Sequence, residues 1–197
     1  MIVANVRDKS IILSILYDTV YDNPKVRFQL GDDQYPQKVK WLCWFIYKIS
    51  MRRKAIYLSS DKKALIIFMN SDQWKKNTMD FPFYLRLFFS AFDWTRILKI
   101  IKMEKSLEAH RPKNFPYLYV WVLGADKQSK GDGQAQQLRD ALFTHADNLQ
   151  LPIFAETAFD QNQRVFSRFG FETYHAELYP DIPFCVHFLR RDFRQRN

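Results

Sequence analysis

The sequence predicts an α/β or α+β chain, a sheet covered by helices, and three observations carry that expectation. "YLYVWVLGA", residues 117 to 125, is almost wholly apolar and rich in aromatic and β-branched residues, the composition of a central strand buried on both faces. Directly behind it, Ala135, Leu138, Leu142, Ala146 and Leu149 recur at steps of three and four, which makes 131 to 149 an amphipathic helix. Short apolar runs then alternate with a further helical pattern to the end of the chain.

Element by element, "DKSIILSILYDTVY" (8 to 21) places Ile11, Ile12, Ile15, Leu16 and Val20 at helical spacing, with Asp8 available as a cap. A second helix runs from about Gln37 to Arg53 on one broad apolar face that includes Trp41, Phe45 and Ile49. "KAIYLSS" and "KKALIIFMN" read as a strand hairpin. From Trp74 to Glu108 the chain turns aromatic and basic, and its mixed spacing predicts two helices broken near Ala91 to Trp94. That pattern suits helices that cover a sheet, and it also suits an amphipathic element resting on a membrane. After the central strand and its helix come "PIFAET" (a strand), "DQNQRVFSRFG" (a helix ended by Gly170), "FETYHAEL" and "FCVHFLRR" (two strands). With no internal repeat and no Gly/Ser-rich linker, residues 1–197 read as one domain: a helical and hairpin half, 1–110, with an extra helical segment at 74–110, then a second half, 111–197.

A hydrophobic content of 47% over 197 residues can fill a sizeable core, which excludes a disordered chain. The net charge of +9 favours anionic partners: nucleic acid, a membrane surface or a phosphate-bearing ligand. The basic residues fall in short scattered groups, and no helix-turn-helix signature, zinc spacing or RNA-binding aromatic motif accompanies them, so no nucleic-acid partner is expected. Cys43 and Cys185 belong to no C-x-x-C pattern and read as buried, reduced thiols. The opening "MIVANVRDKS" carries Arg7 and Asp8 where a signal peptide needs its apolar core. No apolar run reaches the roughly 18 residues of a membrane span, so the expected location is cytoplasmic.

"DKQSKGDGQAQQL" (126 to 138) sets two glycines one residue apart at a strand-to-helix turn, in a chain with only five. A helix start presents unpaired N–H groups and partial positive charge, and Gln128-Ser129-Lys130-Gly131-Asp132-Gly133-Gln134-Ala135 offers successive amides and a lysine suited to a pyrophosphate. No G-K-[ST] follows and the third glycine of the dinucleotide fingerprint is missing, so neither nucleotide motif applies. Spacing alone leaves an alternative equally open, a capping box of Ser129 and Asp132 in which the glycines only permit a tight turn.

Gln128-x-x-Gly131-x-Gly133 after the strand 117 to 125 resembles the acetyl-CoA pyrophosphate loop of the GNAT superfamily of N-acetyltransferases. "LPIFAET" looks like that family's next strand. "NQRVFSRFGF", Asn162 to Phe171, is similar to its Asn-x-x-x-Tyr-x-x-x-Gly-Phe segment. The match runs in order from about Tyr117 to Phe171. It implies a mixed, mostly antiparallel sheet flanked by helices, with splayed central strands that form an acetyl-CoA cleft.

The resemblance further implies that acetyl-CoA is the co-substrate and that 111–197 is its binding half. Its pyrophosphate would sit on the amides of Lys130, Gly131, Asp132, Gly133, Gln134 and Ala135, its pantetheine on main-chain groups of Leu123, Gly124 and Ala125, with Gln128, Asn162 and Phe166 also at the family's cofactor positions. A small-molecule or peptide amine would attack the thioester directly, entering over segments 34 to 53 and 74 to 95 of the acceptor-side half. The sequence departs from the family where Phe166 replaces the tyrosine that protonates the departing thiolate. A thiol with a pKa near 8.5 leaves tolerably well without it, and Tyr174 or a water is a substitute acid. No acid or histidine lies on the central strand, which makes Glu156 the first candidate for the base. His145 reads as a packing or solvent-facing residue, and Asp132 as a cap or a solvent-facing carboxylate. His110, His175 and His187 show no metal-ligand spacing, so no metal is expected. The chain reads as a monomer or homodimer. The alternative to an N-acetyltransferase is a CoA-binding sensor or partner-binding module with impaired catalysis, motivated by Phe166.

Overall fold

The computed structural model describes residues 1–74, 80–129, 133–179 and 182–194. Its first helix, α1 (Lys9–Val20), buries Ile12, Ile15, Leu16 and Val20 of the stripe that the spacing predicts, while Ile11, one position round the helix, is exposed. Asp8 does not cap it: the Asp8 carboxylate accepts the backbone N–H of Asn5 at 3.0 Å and pairs with Lys62 at 2.7 Å. It thereby closes the single 3₁₀ turn that precedes the helix. α2 (Pro24–Leu30) is an element the periodicity misses, because seven residues are too few to show a helical period. Its signals are local: Asn23 caps the N–H groups of Lys25 and Val26, and Pro24 sits in the first turn. α3 (Tyr35–Arg52) buries Val39, Cys43, Ile46 and Ile49.

The expected hairpin pairs β2 (Ile56–Leu58) with β3 (Ala64–Asn70), and the short β1 (Ile2–Val3) adds at its edge. After the one-turn α4 (Ser71–Trp74), the aromatic and basic segment forms α5 (Phe81–Ala91) and α6 (Ile97–His110). The break between them falls where Asp93 accepts the N–H of Thr95 and starts a 3₁₀ turn. β4 (Leu118–Ala125), α7 (Gln134–Leu149), β5 (Ile153–Thr157), α8 (Asp160–Arg168), β6 (Glu172–Leu178) and β7 (Cys185–Arg191) follow in the predicted order.

One sheet holds the seven strands in the order β1-β2-β3-β4-β5-β7-β6, and only β4 and β5 are parallel. Strand side chains alternate between faces, so neighbours in sequence enter different cores. Ile67 and Val122 pack with Ile12, Val39 and Ile46 beneath α1 and α3. Ile66, Phe68, Leu118 and Val120 pack with Leu138, Leu142 and Ala146 of α7 on the opposite face. A third cluster joins Met103 and Leu107 of α6 to Val186 and Phe188 of β7. Truncating Leu138 or Leu142 to alanine should cost about 2–5 kcal/mol in such a setting.

Two features of the centre prepare the site. The β4–β5 ladder covers only Leu118↔Ile153, Tyr119↔Phe154 and Val120↔Ala155, so the two strands part after Val120 and Ala155. On its other side β4 stays paired with β3 through Ala125, with a bulge that leaves Trp121 as an extra residue between Val120 and Val122. Among the described residues the sheet is therefore mixed, mostly antiparallel and splayed at its one parallel pair.

Candidate active site

Trp121 and Glu156 are the first residues of β4 and β5 past the end of their ladder, and they flank the opening. Glu156 lies opposite Phe188 in the β5–β7 pair, so its side chain projects from the face that α6 covers. Arg111, in the segment after α6, grips it with both arms: Nε donates to Oε1 at 2.5 Å and Nη2 to Oε2 at 2.9 Å. Both side chains are largely buried, at 14% and 9% exposure. The Arg111 guanidinium also lies 5.2 Å from the Tyr119 ring centre.

The protonation states follow from this packing. Burial opposes the charge on Arg111, but Tyr119 and Glu156 outweigh it and hold the guanidinium proton more tightly than usual. Burial pushes the Tyr119 phenol well above its ordinary range, with Arg111 opposing and Glu156 adding to the rise. Tyr174 is raised by burial first and then by the Glu156 charge. Both phenols are neutral at physiological pH and serve as hydrogen-bond donors, the Tyr174 hydroxyl to the carbonyl of His110 at 3.3 Å. Aromatic rings complete this side of the opening, with Trp121 6.4 Å from Phe45, itself 5.0 Å from Tyr84.

The residues expected at the cofactor positions lie along the other side. Lys130, Gly131 and Asp132 fall outside the described residues, and with them the proposed capping box. Gly133 is the N-cap of α7 with φ +76°, a left-handed conformation open to glycine at little cost. It makes no side-chain capping bond, and an added Cβ there would meet nothing within 4 Å. Gln134 and Ala135 open the helix, while Gln128 lies inside the 3₁₀ turn Lys127–Ser129, its backbone N–H donated to the Asp126 carboxylate at 2.8 Å. Leu123 and Ala125 pack toward α7. Gly124 has a reason of its own: a Cβ there would sit 1.9 Å from Thr19 Oγ1, so the bare backbone lets α1 lie against β4.

Asn162 is exposed in the first turns of α8, and Phe166 on the same helix stacks edge-on with Phe171, 5.0 Å between ring centres, at the margin of the α7 core. Tyr174 packs against Phe154 and Phe188 on the opposite face. The sheet thus separates the two, and Tyr174 does not stand in the place of Phe166. His145 packs against Phe68, at 5.7 Å, as a helix-packing residue. Cys43 is buried and its thiol is pushed up to about 12 by that burial, while Cys185 is half-buried; both are free.

Sequence spacing missed two groupings. Arg111 is 45 residues from Glu156 and sits in a loop without periodic pattern. His110, His175 and Glu177 come together from α6 and β6, with one donor atom of each within 4.8 Å of the others. The two imidazoles stack 3.8 Å apart at 11°, so their in-plane lone pairs run side by side and do not converge on one point. The back of the cluster is tied down, with Ser106 donating to Glu177 and His110 Nδ1 2.9 Å from the Ser106 carbonyl.

No protein-family model and no curated protein matches the chain. Solved structures match it over nearly its whole length. A histone acetyltransferase-related protein from Corynebacterium glutamicum aligns with a TM-score of 0.66 at 13% identity, over 98% of this chain and 96% of its own. The C-terminal condensation domain of Ebony, solved with β-alanyl-dopamine, aligns at 0.68 and 7% identity over 96% of each chain. Arylalkylamine N-acetyltransferase 2 from Aedes aegypti aligns at 0.54 and 12% identity over 98% and 97%. The chain therefore has the fold of the GNAT acetyltransferases, as the loop and strand resemblance implies. Identities this low establish the fold and leave the reaction to be argued from the site.

Proposed function

We propose that the protein is an acetyl-CoA-dependent N-acetyltransferase that acts on a primary amine of a small molecule or peptide. The observation that carries this reading is the parting of β4 and β5 after Val120 and Ala155, within a GNAT fold. Beyond that point β5 no longer pairs with β4 among the described residues, which suits the edge of β4 at Leu123, Gly124 and Ala125 to pair with an extended amide-bearing arm such as pantetheine. The start of α7 at Gly133, Gln134 and Ala135 presents helix N-terminal amides, with the helix's partial positive charge, to the pyrophosphate; Lys130, Gly131 and Asp132 complete this proposed loop, with Gln128 and Asn162 beside it.

In this reading the cofactor lies on the α7 and α8 side and the amine enters on the side of Trp121, Tyr119 and Glu156. Glu156 takes a proton from the amine, directly or through a water. The guanidinium of Arg111 occupies one lone pair on each carboxylate oxygen and the Tyr119 hydroxyl takes a third acceptor position, which leaves one to accept the proton. Attack on the thioester carbonyl then yields the amide and expels CoA as a thiolate. The Phe166 ring has no proton to give, so the thiolate departs unassisted or takes a proton from water. Aromatic rings at the opening suit an acceptor with an apolar body, in keeping with the arylalkylamine named for one structural neighbour. We place the enzyme in the cytoplasm; no helix among the described residues is long and apolar enough to cross a membrane.

Calorimetric titration with acetyl-CoA tests the cofactor, and a thiol-release screen over amines tests the reaction. Micromolar binding that falls at least about tenfold in Gly133→Glu is the expected result, with a melting temperature lowered by the roughly 1–2 kcal/mol strain of a left-handed glutamate and the cooperative unfolding transition retained. A wild-type protein that binds no acetyl-CoA overturns the proposal. Phe166 favours a second reading, a CoA-binding module with impaired transfer. Phe166→Tyr separates the two: a rise in turnover of about 10²-fold or more marks an acid step that is missing in the natural chain, and a change below about tenfold marks an enzyme that does without it.

A further inference from the structure

Among the described residues, the exposed large apolar side chains are concentrated in two groups, one at the start of the chain and a larger one on α5 and α6. Phe81 (64%), Leu85, Phe89 (64%), Trp94, Leu98 (79%) and Ile101 follow one another at steps of three to five from the start of α5 into α6. Ring contacts tie α5 to the 3₁₀ turn that leads into α6, with Trp94 5.6 Å from Phe89 and 4.6 Å from Phe88. The fold does not use this surface. The inner sides of the same helices already make their packing contacts, through Leu87 and Ala91 in the first core and Ile100, Met103 and Leu107 in the third. Helices apolar on two sides require an apolar neighbour on each.

The accompanying charge selects that neighbour. Lys102, Lys105 and Arg86, whose guanidinium lies over Trp41 and Trp44, are exposed on these helices. Asp93 and Glu104 are engaged by Arg96 and Lys25, and Glu108 is the exposed acid of α6 against these three cations. A second copy of the chain would bring another +9 charge against this one, and an anionic surface would attract it. Aromatic and aliphatic side chains flanked by cations, on helices too short to span, match the chemistry of a bilayer interface. We propose that the face formed by Phe81 to Ile101 rests on an anionic phospholipid bilayer, its apolar side chains at the headgroup boundary and Arg86, Lys102 and Lys105 near the phosphates. This docking is independent of whether the protein transfers an acetyl group.

Co-sedimentation of the full chain with vesicles tests it, using phosphatidylcholine alone and phosphatidylcholine mixed with phosphatidylserine. Binding to the mixed vesicles at low salt is expected, at least about tenfold weaker on the neutral ones. Phe89→Ser combined with Leu98→Ser should abolish it, with a melting temperature lowered slightly by loss of the Phe89–Trp94 ring contact, and Lys102→Ala combined with Lys105→Ala should weaken it roughly 10- to 30-fold with the melting temperature unchanged. Absence of binding to the mixed vesicles overturns the proposal, as does binding that the Phe89 and Leu98 changes leave intact. A dimer in sedimentation equilibrium that the same changes dissolve, without vesicle binding, assigns the face to a second copy and also overturns it.

Discussion

At the scale of single residues, the pair of Arg111 and Glu156 decides how the opening between β4 and β5 is furnished. Each is largely buried, so each depends on the other to offset the loss of hydration. Arg111→Leu should leave a buried carboxylate unpaired and cost about 3–5 kcal/mol of stability, whereas Arg111→Leu with Glu156→Leu should recover most of the loss. Urea denaturation of the two variants checks this, and equal losses would show that the guanidinium works through other contacts. Glu156→Gln separates chemistry from binding. On the proposed mechanism it lowers kcat by roughly 10²- to 10³-fold and leaves acetyl-CoA affinity in place, because the cofactor lies on the other side of the sheet. Stopped-assay thiol release beside calorimetry reads both quantities. Glu156 was legible in the sequence as a carboxylate on the strand after the loop. Arg111 was not, since its partner is 45 residues away and neither residue belongs to a local pattern.

At the scale of elements, legibility followed length and local chemistry. α3, β4 and α7 are long enough to show their periods. The spacing selects Phe45, Ile46 and Ile49 of α3 and Leu138, Leu142 and Ala146 of α7, which are buried. It also selects Trp41 and Leu149, which lie at the margins of those faces and are half-buried and exposed, respectively. α2 has only seven residues and was betrayed only by Asn23 and Pro24, while the two residues of β1 carry no pattern. The parting of β4 from β5 is a tertiary fact, and the family resemblance implied it where periodicity could not. The same is true of Gly124, which reads in sequence as one more cofactor position and in the structure is also the place where α1 meets β4. Its Cβ would fall 1.9 Å from Thr19 Oγ1 and 2.9 Å from the Thr19 methyl carbon. Gly124→Ala should therefore push α1 outward and cost roughly 1–3 kcal/mol. Thr19→Gly in the same chain removes the obstructing atoms, so the double variant should be more stable than the two separate losses predict. A double-mutant cycle in urea reads the coupling, and strict additivity would mean that α1 does not rest on Gly124.

At the scale of the molecule, three of the ion pairs that fasten segments distant in sequence each hold a carboxyl below its usual range, and these contribute to how the fold responds to acid. Asp8 ties the entry of α1 to the hairpin through Lys62, Glu104 ties α6 to α2 through Lys25, and Asp147 ties α7 to β7 through Arg191. The Lys62 hydrogen bond holds the Asp8 carboxyl below its ordinary range. Burial would raise Glu104 and Asp147, but Lys25 and Arg191 overcome it, and both also end lower than usual. A carboxyl whose proton is held more weakly in the folded chain than in the unfolded one stabilises the fold fully above the unfolded pKa, about 4. That contribution is lost as pH falls through the folded value. The urea midpoint should therefore be nearly flat between about pH 6 and 8 and drop steeply below about pH 4. Lys62→Met isolates one share of this. It removes the partner of Asp8 while keeping the length of the side chain, so its midpoint should lie below wild type at neutral pH and the gap should narrow as the pH approaches 3. Tryptophan fluorescence across a pH series gives both curves. A gap that stays constant would mean that Lys62 contributes by packing its stem, and the acid response would then belong to Asp147 and Glu104.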